Sequence, residues 1–140
     1  MWRKRSVRSR LHRYATDTHP LVWHLRKSVR LSAKARSCFR AADRGRAQIV
    51  IPAMVLVEVM YLAERNRITT QLVEIITLVK TSTNYLIVPL DETVIAVAQI
   101  LPANIELHDR LIAATAKALN VPLITGDEVL QKVQEIETIW

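Results

Sequence analysis

The feature that most constrains this chain is the alternation of short β-rich runs with longer stretches of helical spacing. Parallel neighbours in a sheet need a crossover of a dozen or more residues, so this rhythm predicts an α/β fold with a mostly parallel sheet. The first strand is expected over 13–17, followed by a helix from His19 that carries Leu21, Val22 and Leu25. Ser32 suits the N-cap of a helix to about Asp43, which Gly45 ends. A compact strand follows at 47–51, and Pro52 fits the first turn of a helix reaching about Asn66. The remaining pattern reads as a helix at 70–81, a strand at 85–88 and a helix opened by Asp91 and closed by Pro102. Then come a helix at 109–119, a buried strand at 121–124, a short helix at 128–133 and an edge strand within 136–140.

Length and composition narrow the class further. The 140 residues make one ordinary domain, and with half of them apolar the chain can bury a real core. Gly45 and Gly126 are the two glycines, too few for the glycine-rich loops that cradle dinucleotides or nucleoside triphosphates. The single cysteine, Cys38, can form neither an internal disulfide nor a cysteine-based zinc cluster, which fits a reducing cytosol. Of the net charge of +7, six positive charges stand at Arg3, Lys4, Arg5, Arg8, Arg10 and Arg13, ahead of the first acid, Asp17. The remainder is nearly neutral, so the basicity belongs to an arm over 1–11, with the folded domain expected over 12–140. Such an arm can bind polyphosphate backbones, stand as a solvated or disordered tail, or come from an upstream start that adds residues ahead of the natural one. The apolar runs are far too short to span a bilayer, and no apolar stretch follows the basic start as a signal peptide requires. A cytoplasmic location is expected.

Four of the thirteen carboxylates stand out. At helical spacing, Glu58 has Met54, Val55, Tyr61 and Leu62 as neighbours, so it lies in a largely apolar stripe. Burying an unpaired charge costs several kcal/mol, so Glu58 calls for a partner: an Arg, a snorkelling position at the stripe's edge, or a ligand. Asp17 follows the first expected strand, on the side of a parallel sheet where ligands bind. It suits a helix N-cap equally well, as do Asp109 and Asp127. Two carboxylates about 4 Å apart repel by roughly 4 kcal/mol at an intermediate dielectric, so four in one crevice would need a cation. An all-oxygen set favours Mg²⁺ or Mn²⁺ over zinc.

The order and context of these acids resemble the PIN-domain superfamily, and within it toxins of the VapC type. The matching stretches are Thr16-Asp17-Thr18-His19-Pro20-Leu21, Ile51-Pro52-Ala53 leading to Val57-Glu58-Val59, His108-Asp109-Arg110-Leu111-Ile112-Ala113-Ala114-Thr115-Ala116, and Val121-Pro122-Leu123-Ile124-Thr125-Gly126-Asp127. The resemblance covers residues from about 12 to 140 and implies a three-layer α/β/α sandwich around a central, mostly parallel sheet of four or five strands. It also implies a Mg²⁺- or Mn²⁺-dependent endoribonuclease, with Asp17, Glu58 and Asp109 as metal ligands. Asp127 matches the fourth acid, and Thr125 a residue that supports the site from behind. The family mechanism is attack of an activated water on the phosphodiester with departure of the 3′ oxygen. The segment before Asp17, 11–16, is more polar than the family's first strand, and the basic arm is longer.

Other residues carry two readings each. His19 and His108 adjoin proposed ligands and could meet substrate phosphate, or simply pack and face solvent. Arg110 suits a phosphate contact or a structural ion pair. Trp23 reads as core or dimer surface rather than a base-stacking platform. The apolar helical stretches 53–62 and 72–79 suit core burial, a homodimer face or a groove for an antitoxin helix. At the level of function, a ribonuclease toxin held by a cognate antitoxin stands against two alternatives. One is a PIN-like nuclease of RNA processing or DNA maintenance, and the other a non-catalytic RNA-binding regulator. An intact set of four acids disfavours the last.

Overall fold

The computed structural model describes residues 11–140, so the basic arm expected over 1–11 lies almost wholly outside the described residues. The elements run β1 (His12–Thr16), α1 (Thr18–Leu25), α2 (Ala33–Asp43), β2 (Ala47–Pro52), α3 (Ala53–Glu64), α4 (Leu72–Thr81) and β3 (Tyr85–Val88). They continue with α5 (Glu92–Ile100), α6 (Leu107–Leu119), β4 (Leu123–Ile124), α7 (Glu128–Gln131) and β5 (Thr138–Ile139). All five strands pair in parallel in the order β3-β2-β1-β4-β5, so the sheet is wholly rather than mostly parallel. Helices cover it on both sides in a three-layer α/β/α sandwich. Among the described residues, no helix is long and apolar enough to cross a membrane.

Each crossover has a local cause. Ser32 Oγ accepts from the Ala35 amide at the start of α2, and Gly45, at φ +77°, takes the left-handed turn that ends it. Pro52 differs from its expected place inside a helix: it closes β2, opposite Val88 of β3, at φ −58° and ψ 140°. Its ring fixes a φ that strand ends tolerate, and the helix begins one residue later. Asp91 caps α5 by accepting from the Val94 amide. Helix α6 starts two residues earlier than expected because Glu106, not Asp109, caps it, accepting from the His108 and Asp109 amides.

The polar first strand has a geometric explanation. β1 is central, yet its register with β4 covers Ala15 and Thr16 alone, while β2 accompanies it from His12 to Ala15. His12 and Arg13 therefore stand exposed, whereas Ala15 and Thr16 are buried. The core beneath comprises Ile49, Val50 and Ile51 of β2, Ile112 to Ala114 of α6, and Phe39, Val55, Leu123 and Ile124. The chain order reverses between β1 and β4, which makes the carboxyl ends of these two strands the switch point of a doubly wound sheet.

Candidate active site

The switch point supplies the first acid directly. Asp17 leaves β1 with its amide donating to the Ile124 carbonyl at 3.0 Å, and its carboxylate is then held on both oxygens. Oδ1 accepts from the Thr18 amide at 2.8 Å, capping α1, and Oδ2 accepts from the buried Thr125 hydroxyl at 2.7 Å. Capping and site-building are thus compatible uses of one side chain. Thr125 Oγ1 also accepts from the Asp127 amide at 3.1 Å, so one hydroxyl links the turns after β1 and β4. Asp127 caps α7, with Oδ1 accepting from the Val129 and Leu130 amides at 2.8 and 3.1 Å.

Glu58 reaches the same place from the middle of α3. No arginine partners it among the described residues; Oε1 accepts from the Thr18 hydroxyl at 2.5 Å, and Oε2 lies 4.0 Å from His108 Nδ1. Asp109 projects from the first turn of α6. Together Asp17, Glu58, Asp109 and Asp127 line one cleft of about 580 Å³ with His19, Trp23, Arg30, Glu106 and Trp140. Gly126 leaves room there for the Trp140 indole, which would stand 2.9 Å from any Cβ at that position.

Electrostatics mark the cleft as short of positive charge. Burial, followed by the neighbouring carboxylates of Asp17, Asp127, Glu106 and Glu58, pushes the Asp109 carboxyl up to about 7. Burial also raises Asp17 and Glu58, against the opposing hydrogen bonds from Thr125 and Thr18. Five acids face one another across the cleft, where Arg30 is the single Arg or Lys among the described residues of the wall. Among the described residues, no three His, Cys, Asp or Glu side chains close on a point that would hold an ion. The donor set nonetheless suits a hard divalent cation. It is all oxygen and electrostatically strained, and Mg²⁺ keeps several waters and needs only one or two direct carboxylates.

The secondary candidates divide. His19 lines the cleft, is exposed, and lies against Trp23 with ring centroids 5.6 Å apart. His108 is exposed at the cleft's rim, with Nδ1 3.5 Å from Glu106 Oε1. Arg110 is not among the lining residues; its Nε is buried without a hydrogen-bond partner, and no carboxylate pairs with it among the described residues. Three polar residues of the site escaped the sequence reading. Glu106, a fifth acid, sits three positions before Asp109, where an acidic cap was a readable signal. Thr18 carries no signal beyond its neighbour Asp17, and Arg30 arrives from a loop whose path only the tertiary structure sets.

The fold and cleft define a doubly wound α/β protein with a carboxylate-lined crevice at its switch point. The chain belongs to the PIN domain family, whose model matches residues 14–136. No curated protein matches the sequence. Among solved structures, it is similar to a chain of VapBC2 from Rickettsia felis bound to a DNA fragment from their promoter. The identity there is 18%, over 91% of this chain and 97% of that one, with a TM-score of 0.64. DNA-bound VapBC from Salmonella typhimurium gives 14% identity over 91% and 97% of the two chains and a TM-score of 0.66. A toxin–antitoxin complex from Klebsiella pneumoniae gives 19% identity over 91% and 96%, with a TM-score of 0.62. At such identities these likenesses speak for the fold.

Proposed function

We propose that the chain is a Mg²⁺- or Mn²⁺-dependent endoribonuclease, acting as the toxin of a toxin–antitoxin pair. The observation that carries this reading is the convergence of Asp17, Glu58, Asp109 and Asp127 on one cleft, where Asp109 is held partly protonated near neutral pH. Asp17, Glu58, Asp109 and Asp127 would hold the ion, which when bound activates water and neutralises the leaving oxyanion. Thr125 fixes the Asp17 carboxylate and Thr18 the Glu58 carboxylate, so each acid presents its remaining lone pairs in a set direction. His19 and Arg30 line the cleft beside the carboxylates and would meet substrate phosphate, with His108 at the rim. In the overall hydrolysis, water oxygen bonds to phosphorus, the bond to the 3′ oxygen breaks, and that oxygen takes a proton.

An antitoxin partner is part of the proposal. It is supported by the complexes in which the similar chains occur and by Val57, Met60 and Tyr61, which stand 45%, 44% and 49% exposed on α3. A homodimer and a cytoplasmic setting complete the reading. Incubating a panel of structured RNAs with the protein in Mg²⁺, Mn²⁺ or EDTA is the test. Cleavage that needs the metal and is lost in Asp17→Ala and Asp109→Asn is expected. Cleavage in EDTA, or full activity in both variants, contradicts the proposal.

A further inference from the structure

On the far side of Trp23 lies a second cavity, larger than the acidic cleft, at about 820 Å³. Its charge is of the opposite sign. Lys27, Arg36 and Arg40 line it together with His24, and among the described residues Asp43 is the one carboxylate in its wall. That carboxylate is already engaged. Its Oδ1 accepts from the Tyr85 hydroxyl at 2.6 Å, and its Oδ2 lies 3.0 Å from His24 Nε2. His24 stacks on Phe39 at 4.6 Å, and burial lowers its pKa, with Arg40 and Arg36 pushing the same way against Asp43. Arg36 donates to the Leu31 carbonyl, while no carboxylate reaches Lys27, Arg36 or Arg40 within ion-pair distance among the described residues. The cavity therefore gathers cations without matching anions.

Its position says which anion. Trp23 lines both cavities, and one loop between α1 and α2 sends Arg30 into the acidic cleft and Lys27 into the basic cavity. A strand whose phosphodiester lies at the carboxylates would pass Arg30 and the Trp23 indole before reaching the cations. Trp23 is half-buried against the core with its ring tilted on His19 and Trp140, so it bounds the path rather than offering a stacking face. The cations supply backbone contacts of the kind that hold single-stranded nucleic acid without reading its sequence. We infer that the cavity lined by Lys27, Arg36 and Arg40 is a subsite for backbone phosphates of single-stranded RNA flanking the scissile bond, with Trp23 between it and the carboxylates. This deepens the nuclease reading and rests on it for the direction of the strand.

The test measures binding of a fluorescein-labelled single-stranded RNA of about 12 nucleotides to the full chain in EDTA, by anisotropy over a range of salt. Lys27→Gln with Arg40→Gln is expected to weaken affinity at least about 10-fold and to lower the salt slope by about 1.4, at about 0.7 per phosphate contact on a single strand. Two controls accompany it. Lys80→Gln with Lys132→Gln removes equal charge elsewhere and should leave both readings unchanged, and Lys27→Arg with Arg40→Lys should retain the slope. Equal affinity and slope in wild type and the first variant overturn the subsite, as does an equal loss in the Lys80/Lys132 control. Binding of polyglutamate that depends on Lys27 and Arg40, with RNA affinity unchanged, also overturns it in favour of an acidic protein segment. Wild-type RNA cleavage is scored separately: cleavage with no effect on binding removes the subsite alone, and a binding effect without cleavage removes the nuclease reading and with it the placement beside a scissile bond, leaving a single-stranded RNA site.

Discussion

Asp109 and Thr125 show how individual side chains carry the site. The Asp109 carboxyl titrates near 4 in an unfolded chain and at about 7 in the folded one. A folded-state pKa raised in this way contributes stability that is full below pH 4 and lost as pH rises through 7. The metal-free protein is therefore expected to weaken across that window, and Asp109→Asn to relieve the loss. After discounting for solvent screening, the relief at pH 8 is about 1–2 kcal/mol, a few degrees in Tm, and near zero at pH 4. Thermal melts in EDTA at the two pH values check it, and a gain that is the same at both would contradict it. Thr125→Val removes the donor to Asp17 Oδ2 and the acceptor for the Asp127 amide, two part-buried bonds made by a fully buried threonine. A cost of about 1–3 kcal/mol is expected, with cleavage lost, while Thr125→Ser retains most of both. Glu58 was legible at this scale because a carboxylate in an apolar stripe demands a partner. That the partner is a threonine two residues into the chain after β1 was not, since sequence spacing says nothing of which elements meet.

At the scale of elements, the strand and helix types followed from periodicity, whereas their ends depended on capping and pairing that only neighbours decide. Glu106 moved the start of α6, and pairing with Val88 kept Pro52 in β2. Caps also separate structural from chemical roles. Asp127 starts α7 through two amide hydrogen bonds and faces the cleft as well. Asparagine caps nearly as well as aspartate, so Asp127→Asn is expected to hold its Tm within a degree or two while losing activity. Asp127→Ala should lose activity and about 1 kcal/mol besides. Asp91→Ala, at the N-cap of α5 outside the cleft lining, should cost a similar amount of stability and leave cleavage intact. Urea melts paired with RNA cleavage distinguish the three. An Asp127→Asn protein with full activity would reduce Asp127 to a cap.

For the whole molecule, the sheet order is what brings together acids that are far apart in the chain. Asp17 and Asp127 meet because β1 and β4 are neighbours at the reversal of strand order. Glu58 and Asp109 reach the same cleft from α3 and α6. The sequence could suggest this convergence only through family resemblance, because no local pattern encodes strand order. The described residues thus set five acids in the cleft against a single Arg or Lys, and a divalent ion should stabilise the fold as a ligand that binds only the folded state. The central claim, that these carboxylates form one metal site, is tested most directly by titrating Mn²⁺ into the protein near pH 7 and following free Mn²⁺ by electron paramagnetic resonance. Saturable binding is expected, with release of protons from Asp109 and at least about a tenfold loss of affinity in Asp17→Ala and Asp109→Asn. Unchanged Mn²⁺ affinity in both variants would contradict the account.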